Sequence, residues 1–140
     1  MQFVCDAPPN TWFRIETATE AAFESRDMNH AVEKHFKQAY EEAAASYVPP
    51  PGRVIEQNIG LKAHIQRVMP LFLTLRDGEG RALVTAMLPP GGKDDRSFRP
   101  IIVGAGNSDP FIDYGEAIET LGEHFGLTLD RTRCYPYRRG

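Results

Sequence analysis

Residues 71–88, LFLTLRDGEGRALVTAML, constrain the fold more than any other stretch of the chain. Two runs rich in leucine, valine and threonine flank Asp77-Gly78-Glu79-Gly80. Two β-prone runs joined by so short a glycine-containing link read as an antiparallel hairpin. Both runs carry apolar residues on both faces in places, so the hairpin is expected near the centre of a sheet.

The flanking segments supply what a central hairpin needs. TWFRIET, residues 11–17, alternates apolar and polar side chains with aromatic and β-branched residues, and APPN before it is a turn, so a strand begins near Thr11. Thr17 and Glu20 have the spacing of a capping box, and neither Pro nor Gly follows before Tyr47. That segment reads as a long N-terminal helix with room for one break near RDMN. Its apolar stripe is Met28, Val32, Phe36, Ala39, Ala43 and Tyr47, while Glu33, Lys34, Lys37, Glu41 and Glu42 fall off it. VPPPG ends the helix, and residues 53–69 are left unassigned. PPGGKDDRS, residues 89–97, reads as a polar, mobile loop. A strand at 100–103, a helix from about Asp113 to Phe125 and a short strand at Leu127–Leu129 complete the order. Asp113 and Glu116 are spaced as a second capping box, and Gly126 stands where a helix ends left-handed. The expected fold is α+β: one domain over residues 1–140, a mostly antiparallel sheet with the long helix and a second shorter helix packed on it, and a basic tail at 131–140.

The 140 residues, 41% hydrophobic and 25% charged, are those of an ordinary globular chain. A net charge of −3 argues against a general nucleic-acid binder. No run approaches the roughly 20 apolar residues that span a bilayer, and MQFVCDAPPN lacks a basic start and an apolar stretch, so no membrane and a cytoplasmic location are expected. Two cysteines, Cys5 and Cys134, fit a reducing compartment; whether they pair is open.

Catalytic motifs are scarce. His30 and His35 are five residues apart and so point about 140° away from each other on a helix, which excludes joint chelation there. His30 reads as solvated, His35 as edging the apolar stripe, and no Cys/His cluster has metal-ligand spacing, so no metal is expected. Ser108 reads as a turn residue and Cys134 as an exposed tail cysteine without an adjacent base. In the tail, Arg131, Arg133, Arg138 and Arg139 interleave with Tyr135 and Tyr137. Three partners remain open for it: nucleic acid, the chain's own acidic helix with Glu20, Glu24, Asp27, Glu33, Glu41 and Glu42, or another protein. Gly115 and Gly122 form a flat strip on the last helix, the mark of close packing against a neighbouring element.

The segment from Gly104 to Ser108, GAGNS, is the one candidate ligand edge. Gly104, Ala105 and Gly106 allow close backbone approach, and with Asn107 and Ser108 they precede a helix whose N-terminus favours anions. Asp109 and Asp113 oppose an anion there, and a sharp corner with at least one positive φ explains the glycines as well.

LKAHIQRVMPLFLTLRDGEGRALVTAML, residues 61–88, resembles the thermostable hemolysin family, with its AHI turn, MP pair and LRD-x-x-G hairpin. That family is similar in fold to the N-acetyltransferase superfamily. The resemblance covers about a fifth of the chain and implies an acyl-CoA cofactor, with its pyrophosphate at Gly104–Asn107. Tyr114 or His124 would then shuttle the proton. The superfamily's R/Q-x-x-G-x-G/A loop is absent here. The reading taken first is a binding or regulatory module without catalytic machinery or cofactor, whose counterpart is a protein partner or a second copy of the chain. Acyl-CoA-dependent transfer is the alternative.

Overall fold

The computed structural model describes residues 1–135. Its sheet has five strands in the order of the sequence, every neighbouring pair antiparallel: β1 (Gln2–Ala7), β2 (Asn10–Arg14), β3 (Leu71–Arg76), β4 (Ala82–Leu88) and β5 (Ile101–Val103). The 71–88 hairpin forms as expected and lies inside the sheet. Asp77 builds its turn: Oδ1 accepts from the amides of Glu79 and Arg81, and Gly80 takes the left-handed φ of 83° that closes it.

Alternation along β3 and β4 separates two cores. Leu71, Leu73 and Leu75 of β3 point to the same side as Val84, Ala86 and Leu88 of β4. Against them lie Ala117, Ile118 and Leu121 of helix α4 (Phe111–Phe125). Trp12 is fully buried on this side, and its indole N–H donates to the Ala117 carbonyl at 2.9 Å. The other face carries Phe72, packed with Ile15, Ala21, Val32, Phe36 and Ile65 of the preceding elements. Three helices cover it: α1 (Ala18–Met28), α2 (Val32–Ala45) and α3 (Val54–Val68).

Several expectations are corrected. The long N-terminal helix is two helices. The capping box of Thr17 and Glu20 starts α1 as predicted, but Asn29 adopts φ 52° and closes α1 with a left-handed cap that needs no glycine. The amides opening α2 then bond backwards across the corner, Glu33 N–H to Ser25 Oγ at 2.7 Å and Val32 N–H to His30 Nδ1 at 3.4 Å. The unassigned 53–69 stretch is α3, clamped to α2 by Ser46 Oγ and His64 Nε2 at 2.7 Å. α4 begins at Phe111, with the Asp109 carboxylate accepting from the Phe111 amide, so Asp113 and Glu116 are not its capping box. Residues 127–129 form no strand: the Leu127 amide donates to Gly122 O, folding the chain back on α4, and a Cβ at Gly122 would come within 2.6 Å of the Leu127 carbonyl. Gly122 thus marks close packing, whereas a Cβ at Gly115 would meet nothing. Gly126 does end α4 left-handed, with φ 75°. No helix among the described residues is long and apolar enough to cross a membrane.

Candidate functional site

On the α1–α3 side, the sheet carries hydroxyls at its middle register, where Thr74 of β3 lies opposite Thr85 of β4, both buried. Arg76 follows two residues after Thr74 and so shares its face. α1 answers with Glu24, which lies on the same helical stripe as Ala21 and Met28 and is fully buried rather than part of a solvated acidic face. Its Oε1 accepts from Arg76 Nη2 at 2.6 Å, and its Oε2 accepts from the Thr85 hydroxyl at 2.5 Å. Thr85 has one proton and donates it to the carboxylate, so its oxygen accepts from His30 Nε2–H at 2.8 Å. His30 is therefore a half-buried imidazole with its lone pair on Nδ1, turned toward the start of α2, and not the solvated residue expected. Burial pushes its pKa down, against the pull of Glu24, with His35 adding to the depression. Every polar group in this chain of contacts has a partner, which makes it a structural joint between two helices and the hairpin.

Beside this joint is a small cavity of about 80 Å³, lined by His30, His35, Thr85 and Met87 on one side and Val103 and Asn107 on the other. The predicted Gly104–Ser108 turn meets it only through Asn107. The turn itself is tightly folded. Gly104 N–H donates to Ser108 O at 2.8 Å, Asn107 N–H to Gly104 O at 3.1 Å and Ser108 N–H to Ala105 O at 3.1 Å. Gly106 has the positive φ that the corner requires, 64°, and Asn107 repeats it at 61°. Gly104 has an ordinary negative φ, and its lack of Cβ leaves room for Ser108 Oγ. The amides of Gly104, Asn107 and Ser108 are thus spent within the turn.

The larger concavity lies elsewhere. α2 and α3 stand over the end of β2 and enclose a groove of about 670 Å³. Ile15, Phe36, Leu61, Ile65 and Met69 make it apolar inside. Phe36 forms its base, edge-on to Phe72 of the sheet at 5.2 Å and stacked on Tyr40 at the wall. Charged residues ring the mouth: Arg14, Lys37 and Lys62 against Glu16 and Glu41. Lys37 is held by Glu33 at 2.8 Å and Glu16 lies 3.9 Å from the N-terminal ammonium. Arg14 Nη2 donates to the Gln66 carbonyl in the last turn of α3 at 3.3 Å. Among the described residues neither Arg14 nor Lys62 has a carboxylate at ion-pair distance. Burial draws the Arg14 pKa below its ordinary value, with Glu16 opposing.

The remaining candidates do not converge on either cavity. Cys134 is fully buried against the α4 core, and burial, with Asp130 adding to it, pushes its thiol up to about 11, which removes thiolate character. Cys5 and Cys134 are both free. Tyr114 packs against the α4 core and His124 is exposed beside Phe125. Among the described residues no group of three His, Cys, Asp or Glu is arranged to hold a metal ion. The described part of the tail is a short helix, α5 (Arg131–Cys134). It does not dock on the acidic helix. Arg131 pairs with Asp109 at 2.5 Å, Arg133 donates to Phe98 O at 3.3 Å, and the Tyr135 hydroxyl donates to Asn107 O at 3.1 Å. Tyr137, Arg138 and Arg139 lie outside the described residues.

Sequence reasoning missed both the joint and the groove. The joint had a signal: a glutamate on the buried stripe of α1, and two threonines and an arginine on one face of otherwise apolar strands. The groove had none within any single segment, because its walls come from residues 14–18, 36–41 and 58–70. Comparison of the chain with protein-family models, with curated proteins and with solved structures finds no significant match.

Proposed function

We propose that this chain is a small-ligand binding module without catalytic machinery of its own, and that it works through the groove between α2 and α3. One observation carries the reading: a concavity of about 670 Å³ with an apolar interior and a charged mouth. Binding sites for small organic molecules are of this size, about 300–1,000 Å³, and of this character. The polar joint at Glu24, Thr85 and His30 supports it indirectly, since it anchors α1 and the start of α2 to the sheet while α3 forms the opposite wall.

A neutral fluorescent probe, N-phenyl-1-naphthylamine, tests the reading. Saturable fluorescence enhancement with a Kd of about 10 µM or tighter is expected, and it should fall at least tenfold in Leu61→Asp, which places a carboxylate on the apolar wall. No enhancement with the wild type, or equal enhancement with the variant, contradicts it.

Acyl-CoA-dependent transfer remains as a second reading because the order of strand, helices, hairpin, strand, glycine turn and helix accords with the resemblance of residues 61–88. In that reading Gly104, Ala105, Gly106 and Asn107 receive the pyrophosphate. The turn as folded presents few amides for it, with those of Gly104 and Asn107 already bonded. Calorimetric titration with acetyl-CoA separates the two: micromolar binding weakened by Gly106→Val favours transfer, and heats of dilution alone disfavour it.

A further inference from the structure

We infer that the α2–α3 groove selects amphipathic anions, taking an aliphatic or aromatic tail into its apolar interior and the carboxylate head against Arg14. The inference rests on the groove being a ligand site and adds the class of ligand.

Three observations carry it. The first is the state of Arg14. It sits at the end of β2, half-buried, in the lining of the groove. A guanidinium has five N–H donors, and the Gln66 carbonyl takes one of them at 3.3 Å. No carboxylate among the described residues reaches ion-pair distance from it. A half-buried cation with donors left over is the arrangement that gains most from an incoming anion, because planar carboxylates accept two parallel N–H bonds from it.

The second is the charge balance of the mouth. Arg14, Lys37 and Lys62 line the groove against Glu16 and Glu41, an excess of one positive charge. Lys37 is paired with Glu33 at 2.8 Å, and Glu16 acts on Arg14 through space without reaching ion-pair distance. The third is the separation of character along the groove. Ile15, just past β2, lines the interior with Phe36 of α2, Leu61 and Ile65 of α3, and Met69 and Pro70 after it, so a head held at Arg14 has an apolar path for the tail. The free energy of binding then has two separable parts, a tail part growing with each buried methylene and a head part depending on charge.

Decanoate and decanol share a tail and differ in the head, so their comparison isolates the second part. Each is titrated as a competitor of N-phenyl-1-naphthylamine on the full chain near neutral pH. Decanoate is expected to bind about tenfold tighter than decanol, the size of one charge-assisted hydrogen bond. Arg14→Gln should abolish that preference while leaving decanol affinity within about twofold, and Arg14→Lys should retain part of it. Equal binding of both in the wild type overturns the anion inference and leaves the groove standing, whereas displacement by neither overturns the groove itself. A preference that survives Arg14→Gln overturns the assignment to Arg14. If Arg14→Gln melts before binding is read, the wild type still decides the matter. The Arg14 side-chain Nε–H resonance should move with decanoate and not with decanol, and an unmoved resonance under saturating decanoate refutes the contact.

Discussion

The two faces of the sheet are built from the same two strands and end in different states. Toward α4, Leu71, Leu73, Leu75, Val84, Ala86 and Leu88 meet a single apolar helix face, and the layer is closed. Toward α1–α3, the alternate residues of the same strands are Phe72, Thr74, Arg76, Thr85 and Met87, and three helices cover them around a buried carboxylate and an open groove. One face is a core in the ordinary sense. The other combines a polar joint with an adjoining concavity: α1 and the start of α2 are pinned to the sheet, and α3 forms the far wall.

Breaking the joint should have the largest effect. Arg76→Leu leaves Glu24 buried with its charge uncompensated and is expected to cost about 3–5 kcal/mol by denaturant unfolding. The double variant Glu24→Leu with Arg76→Leu should recover most of that loss, since it removes both charges. A double variant as unstable as the single one would show that the joint does more than pair charges.

The contrast between closed face and groove is sharpened by truncating one leucine on each. Leu73→Ala, fully buried on the α4 side, should cost about 2–5 kcal/mol through the lost apolar burial and the cavity left behind. Leu61→Ala, on the half-open groove wall, removes a side chain that solvent already reaches, and should cost less than about 1 kcal/mol while weakening probe binding. Equal losses at the two sites would mean that the groove is as closed as the core.

The smallest expected effect is on pH dependence. Burial lowers the His30 pKa in the fold, so as the pH falls the unfolded chain takes up the proton first. The stability due to His30 is then fully present above the ordinary imidazole pKa, about 6.5, and declines as the pH falls below it. Glu24, reached through Thr85, moderates the decline and His35 increases it. His30→Gln keeps a donor for Thr85 and should flatten the stability profile between about pH 5 and 7. A profile unchanged by the substitution would show that other groups govern that range.

How much of this the sequence discloses depends on how local each signal is. The 71–88 hairpin, the Thr17 cap, the Gly126 cap and a positive φ at one of Gly104 and Gly106, which falls on Gly106, are set by residues within a turn of one another and are legible. β1 was missed because it is an edge strand, mostly exposed, with no clear alternation. The α1–α2 break escaped because Asn29 takes a left-handed conformation for which glycine is the usual marker. α3 was blurred by Val54, Ile55 and Ile59, three exposed apolar residues that spoil its helical stripe. Leu127–Leu129 has strand composition and no neighbouring strand to pair with. The glycine turn is legible as a corner, whereas the groove depends on segments more than fifty residues apart, such as Arg14 and Gln66, meeting at the end of β2, and no pattern within one segment encodes that meeting.

Whether ligands enter between α2 and α3 is tested most directly by amide chemical-shift mapping during a decanoate titration. The largest, saturable shifts are expected on residues 14–18, 36–41 and 58–70, with the Gly104–Ser108 turn nearly silent. Shifts centred on residues 104–108, or a spectrum that does not change up to saturating decanoate, would contradict entry there.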